Sequence, residues 1–282
     1  MSLRATITGQ LGSISAMPVV VGKLRQLLSD PDVEFRELSE VLKYDPGMTT
    51  NILRLANSAY FGFRTQVNTV TQAISRLGLK RMSELVMTAA VGPIMQRPLK
   101  GYEVPAGGLW RHSIAVAIAT EHLAGQLNIP VPEDAFTAGL LHDIGKMVLG
   151  TFIEVDTVPI MKLVDEKKIP FDQAEREILG IDHAEVGSLL LKKWNLPESL
   201  VNVTRWHHAP HLSEENTVVL NLVHIADSIS LMSGIGTGQD GLAYNISKEA
   251  TEIIPINIKI IESCAVYTMQ KVSELSELFE TN

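Results

Sequence analysis

Apolar residues recur along nearly the whole chain at three- and four-residue intervals, and no convincing stretch of five or more residues alternates apolar with polar. That spacing lays apolar side chains along one stripe of a helix, whereas a half-buried strand needs a period of two. The chain is therefore expected to be all-α. In "PVVVGKLRQLLSD", Val20, Leu24, Leu27 and Leu28 share a face, with Pro18 fitting a first helical position; Leu38, Val41 and Leu42 repeat the pattern in "FRELSEVL". In "YDPGMTTNILRLAN", Asp45 reads as an N-cap, Pro46 as the first helical residue, and Met48, Ile52 and Leu55 as the buried stripe. "VTQAISRLGLKRMSELVMTAAV" carries two helical stretches broken at Gly78, and Pro93 ends or kinks the second.

The run "MQRPLKGYEVPAGG" holds two prolines and three glycines and cannot sustain a long helix. A boundary is expected there, separating an N-terminal helical bundle (residues 1–104) from a second helical unit (105–282). Charge divides along the same line: residues 1–104 hold 12 Lys+Arg against 8 Asp+Glu, and the remainder holds 12 against 24. The overall charge of −8 argues against a general nucleic-acid binder. With 45% apolar residues over 282 positions, the chain is long enough and oily enough for a sizeable core. The lone cysteine, Cys264, excludes an internal disulfide, the N-terminus lacks an apolar signal core, and no window approaches roughly 18 uninterrupted apolar residues. A cytoplasmic protein without a membrane partner is expected.

The stretch "AGLLHDIGKMVL" (138–149) interrupts the apolar pattern with His142, Asp143 and Lys146. Taken singly, an imidazole on an apolar helix is ordinarily a hydrogen-bonded core residue. Eight histidines occur, at 112, 122, 142, 183, 207, 208, 211 and 224, six of them on predominantly apolar helical segments, and Asp227 joins them in "VHIADSIS". Each buried imidazole needs partners, and a buried Asp143 or Asp227 is costly unless paired or coordinated. One shared divalent cation, or two bridged by a carboxylate, satisfies all of these groups at once. Imidazole nitrogen with carboxylate oxygen suits iron, manganese or zinc without distinguishing them. On a helix, adjacent His142 and Asp143 point about 100° apart, so the pair can straddle an ion while other helices complete its shell.

In chain order, His112, "HD" at 142–143, His183, "HH" at 207–208 and Asp227 resemble the HD superfamily of metal-dependent phosphohydrolases, and most the fuller ligand set of its HD-GYP branch. The ungapped stretch from "SDPDVEFRELSEVL" through "LRLANSAYFGFR" to "LKRMSELV" resembles the front part of HDOD domains, HD-related output domains of bacterial signalling proteins. Together the resemblances span roughly residues 12 to 232. They imply an HD-superfamily helical domain after the N-terminal bundle, with His112, His142, Asp143 and Asp227 holding a first metal. His183, His207 and His208 would complete a second with Asp143 bridging, and Lys146 would contact a substrate phosphate. Asp143 and Lys146 are then the expected catalytic residues. One departure weighs against cyclic di-GMP as substrate: "HH" is followed by "APHLSEEN", not by the Glu and Gly-Tyr-Pro loop of the HD-GYP branch.

Blander readings accompany several of these residues. Lys146 also suits a solvated charge at a helix end after Gly145, favoured there by the helix dipole. His122 reads as surface, and His211 and His224 as structural. Tyr60, Phe61 and Phe63, between Arg54 and Arg64, have the makings of a base-stacking platform but read better as a packed turn. "AISRLGLKRMSELV", with Lys80 and Arg81, has the length of a helix-turn-helix, a pairing common in any bundle. Val272, Leu275 and Leu278 space a C-terminal stripe that packs or binds a partner. The leading expectation is a signalling output module that binds divalent metal and acts through an unidentified signalling protein or a small phosphate-containing ligand. The alternative is an active phosphohydrolase on a nucleotide-type substrate, ahead of a DNA-binding regulator.

Overall fold

A computed structural model describes residues 2–11, 17, 19–28, 30, 32–42, 45–130, 132–153, 158–236, 238 and 246–276. In chain order the helices are α1 (Leu3–Gln10), α2 (Val19–Leu28), α3 (Phe35–Leu42), α4 (Pro46–Ala56), α5 (Val70–Met95), α6 (Gly108–Gln126), α7 (Ala135–Leu141) and α8 (Lys146–Ile153). They continue as α9 (Val158–Lys167), α10 (Phe171–Leu179), α11 (His183–Lys193), α12 (Glu198–Trp206), α13 (Val218–Met232), α14 (Lys248–Ile253) and α15 (Ile258–Ser276). Short 3-10 turns cover Lys100–Tyr102 and Pro210–Leu212. The described residues form no strand, only an isolated bridge between Leu99 and Val104, so the all-α expectation holds. None of the described helices is long and apolar enough to cross a membrane.

Two compact units emerge: one of Ser15–Ile94 with Lys271–Asn282, the other of Met1–Ile14 with Met95–Gln270. The observed division thus precedes the expected 104/105 boundary, and the chain's ends exchange units. The side chains show why. Tyr102 is fully buried, and Gly107 N–H donates to Gln96 O at 3.0 Å, which ties the Pro/Gly run to the start of α6. On α1, Ile7 is fully buried, while Arg4 pairs with Glu185 and donates to Gly180 O at 2.9 Å.

In the smaller unit local chemistry sets the helices. The Asp45 carboxylate accepts from Met48 N–H at 2.9 Å, Pro46 opens α4, and Met48, Ile52 and Leu55 are buried. Gly78 adopts φ 76°, ψ 171°, which breaks α5 into two stretches. Pro93 precedes its end at Met95. Phe61 stacks on Phe63 with centroids 6.4 Å apart; Arg76 lies 5.4 Å over the Phe63 ring and donates to Thr65 O at 2.7 Å. Arg81 pairs with Glu84 at 2.6 Å. Pro18 and Leu278 lie outside the described residues.

In the larger unit, α13 is buried continuously from Val219 to Ser230, and α6 is almost equally enclosed, as befits helices that are apolar all round. α7 reaches the α6 backbone because position 139 is glycine: a Cβ there would lie 2.7 Å from Ala117 Cα. These three helices carry His112, His142 and Asp227 to a common point.

Candidate metal centre

The "HD" pair does not lie inside one long helix. α7 ends at Leu141, His142 is its C-cap, and a turn runs to Lys146, whose N–H donates to Asp143 O at 3.0 Å. The cause is tertiary. A Cβ on Gly145 would run into His183 O and come 2.5 Å from Gly187 N, so glycine lets this turn press against the first turn of α11. Lys146 accordingly opens α8, where the helix dipole disfavours a cation, and is only 6% exposed; the solvated-end reading fails. His183 begins α11 because Asp182 caps it, accepting from Glu185 N–H at 2.6 Å and from Arg176 Nε at 2.8 Å. His207 is the C-cap of α12, and His208 is the next residue.

All seven expected side chains converge. His112, His142 and Asp227 form one cluster and Asp143, His183, His207 and His208 another; within each, the potential ligand atoms lie within 4.8 Å of one another. His112 Nε2 is 3.0 Å from Asp227 Oδ1 and 3.5 Å from Asp143 Oδ2, with His142 Nε2 3.4 Å from that second oxygen. Asp143 Oδ1 turns to the other cluster, 3.4 Å from His183 Nε2 and 3.6 Å from His207 Nε2. Asp143 thus sits where a bridging carboxylate would.

The hydrogen bonds on the outer side of the rings fix how the inner side is presented. His112 Nδ1 faces Ile235 O at 3.2 Å, His142 Nδ1 faces Gly139 O at 2.7 Å and His207 Nδ1 faces Thr204 O at 2.9 Å. A carbonyl can only accept, so each Nδ1 carries a proton and Nε2 is the ring atom turned inward. Yet the buried Nε2 atoms of His112, His142 and His207, with Asp143 Oδ1 and Asp227 Oδ1, have no hydrogen-bond partner. Imidazole nitrogens and carboxylate oxygens gathered in the core without hydrogen bonds match the donor set of a divalent cation.

Electrostatics agree. Burial alone would raise Asp143, but Lys146 and then His142 and His207 hold it well below the usual carboxylate range. Burial likewise opposes ionisation of Asp227, and His112 and His142 pull it down regardless. Burial lowers His183, but Glu175 outweighs it and raises the imidazole to about 9. Burial, reinforced by His207 and His183, keeps His208 neutral, so its Nε2 accepts from the protonated His183 Nε2 at 2.9 Å.

Two contributors, Glu175 and Tyr102, were not expected from the sequence. Glu175, fully buried on α10, accepts from His183 Nδ1 at 2.7 Å and from His183 N–H at 2.9 Å, while the Tyr102 hydroxyl donates to its other oxygen. A carboxylate beside Phe171, Ala174 and Leu179 on the buried face of an amphipathic helix was the available signal. His224 is structural, as expected, but specific: its Nδ1–H donates to His207 O at 2.7 Å, and its Nε2 accepts from Ser247 N–H at 3.0 Å. His122 is half-buried rather than at the surface, stacked on Tyr267 at 3.9 Å away from the centre, and His211 is exposed.

Known proteins resemble this chain in sequence and in fold. The HDOD domain model matches residues 14–210. An uncharacterized protein of Treponema pallidum is 26% identical over 231 residues, covering 80% of this chain and 44% of that protein. A Ribonuclease Y of Mycoplasma mycoides is 28% identical over 208 residues, covering 70% and 33%. The chain therefore spans less than half the length of either relative. Among solved structures, an HDOD domain protein from Geobacter sulfurreducens aligns with a TM-score of 0.80 at 26% identity, covering 98% of each chain. A Shewanella amazonensis protein, provisionally named a phosphohydrolase, shares the fold at a TM-score of 0.71 and 23% identity, covering 97% of this chain and 98% of that one.

Proposed function

The chain belongs to the HDOD family, and on that premise we propose that it is a signalling output module that binds divalent transition metal and acts through contact with another protein or a small phosphate-containing ligand. One observation supports the metal reading above all: five inward-facing nitrogen and oxygen atoms of His112, His142, Asp143, His207 and Asp227 are buried without a hydrogen-bond partner. His112, His142, Asp143 and Asp227 would hold one ion, and His183, His207, His208 and Asp143 a second. Iron, manganese and zinc all suit this donor set. Glu175 and Tyr102 hold the His183 ring in one orientation, and His224 fixes the carbonyl of His207. The single buried thiol of Cys264 is compatible with a reducing, cytoplasmic setting.

A second reading, hydrolysis of a phosphodiester in a nucleotide-type substrate, is favoured by the completeness of the ligand set and by the buried Lys146 ammonium at 2.6 Å from Asp143. Similarity to ribonucleases named Ribonuclease Y points the same way. Bound ions would supply Lewis acidity toward a phosphate oxygen. Lys146 offers positive charge beside Asp143, and the burial of the surrounding imidazoles excludes bulk water.

Elemental analysis of protein purified without added metal is expected to find about one to two transition ions per chain. A chain that stays empty after anaerobic loading with iron or manganese would end both readings. With metal in place, no turnover on a panel of cyclic and linear nucleotides favours the module. Turnover that vanishes in a folded Asp143→Ala variant establishes the hydrolase.

A further inference from the structure

We infer that Asp182 is a positioning residue for the metal centre: with Arg176 and Arg205 it forms an ionic clasp across the open end of the pair of helices α11 and α12, and this clasp fixes the spacing of His183 and His207. The inference rests on the metal reading above, and the clasp residues hold no ion themselves. α11 and α12 run antiparallel, joined through residues 194–197, and the Lys192 ammonium lies 3.2 Å from Glu198 at that joined end. His183 and His207 stand at the other end, where no peptide links the two helices. Their Nε2 atoms face one oxygen, Asp143 Oδ1, at 3.4 and 3.6 Å. A bound ion tolerates a spread of only about 0.2 Å in its ligand distances, so the free ends need a tie.

Asp182 is placed to supply it. It directly precedes His183, its side chain is fully buried, and its two oxygens have separate partners. Oδ1 caps α11 by accepting from Glu185 N–H at 2.6 Å. Oδ2 accepts from Arg176 Nε at 2.8 Å, with Arg176 Nη2 beside it, and lies 3.6 Å from Arg205 Nη1. Arg205 also reaches Glu185 Oε2 at 3.5 Å, and its guanidinium sits 4.4 Å over the Trp206 ring, which keeps the fork in place. In the chain, Arg205 comes two residues before His207, and Arg176 follows Glu175, the carboxylate behind His183. Each member of the clasp therefore neighbours a residue that faces the centre from α10, α11 or α12. A cap needs Oδ1 alone; two guanidiniums on Oδ2 tie three helices to one buried charge.

The test separates the clasp from the cap. Asp182→Asn keeps an oxygen for Glu185 N–H but loses the charge that gathers the arginines. Arg205→Gln opens the clasp from the α12 side, and Lys192→Met breaks the ion pair at the joined end of the same two helices. Each full-length chain is titrated with cobalt(II): affinity is read by competition with a chromophoric chelator, ligand geometry by the visible absorption of the bound ion, and folding by circular dichroism. Asp182→Asn and Arg205→Gln are each expected to weaken binding at least about tenfold and to alter the absorption band at saturating cobalt, with helical content unchanged. The double variant should fall within about twofold of Asp182→Asn, because the two side chains act through one contact. Lys192→Met should match wild type. Arg205→Gln serves alone if Asp182→Asn does not fold. Wild-type affinity and absorption in either folded clasp variant, additive losses in the double variant, or an equal loss in Lys192→Met overturns the inference while the metal reading stands. A wild-type chain that takes up no cobalt overturns both.

Discussion

Asp143 is the residue on which the centre's electrostatics balance. It is buried, ionised and 2.6 Å from a buried ammonium, so neutralising it in metal-free protein removes the carboxylate charge that pairs with Lys146. Asp143→Asn is expected to cost about 3–5 kcal/mol, and Asp143→Asn combined with Lys146→Met to recover most of that, as measured by urea unfolding with chelator present. Glu175→Gln keeps the size of the side chain but removes the charge behind His183. It should weaken metal binding about tenfold with the helical content unchanged, read by competition with a chromophoric chelator. The seven His and Asp side chains were legible in the sequence because such groups are conspicuous in apolar runs and need partners. Glu175 and Tyr102 were not, because a glutamate among the charges of "FDQAEREILG" looks like a solvated face until the fold turns it inward.

The helices that deliver these groups depend on close approaches rather than on propensity. Gly145 lets the turn between α7 and α8 lie on the start of α11, and an added methyl group would collide with backbone that cannot retreat. Gly145→Ala is expected to cost at least about 1–3 kcal/mol and to lower metal occupancy, whereas Gly125→Ala, on the exposed face of α6 with nothing within 4 Å, should stabilise by up to about 1 kcal/mol. Thermal unfolding of the two variants under one set of conditions tests the opposite signs. The same contrast explains what was readable. The Asp45 cap with Pro46 and the break at Gly78 are local chemistry, written in adjacent residues. The end of α7 before His142 is imposed by packing from residues about forty positions away, which no local pattern announces.

Across the chain, the helical periodicity was enough to read the all-α class, while the division into units was only partly legible. The Pro/Gly run marked a real discontinuity, but the assignment of the two termini depends on contacts such as Arg4 with Glu185 that join residues distant in sequence. Because every candidate ligand lies in the unit of Met1–Ile14 and Met95–Gln270, metal should raise the unfolding temperature of that unit. The gain is about 2.7 kcal/mol at a free ion concentration a hundredfold above Kd, and a chelator should reverse it in calorimetry. The central claim is that His112, His142, Asp143, His183, His207, His208 and Asp227 form a metal site, and diffraction from metal-loaded crystals at the metal's absorption edge tests it most directly. Anomalous density is expected among the inward-facing Nε2 atoms, touching Asp143. Loaded crystals with no anomalous density there, or with it only at surface carboxylates, would contradict it.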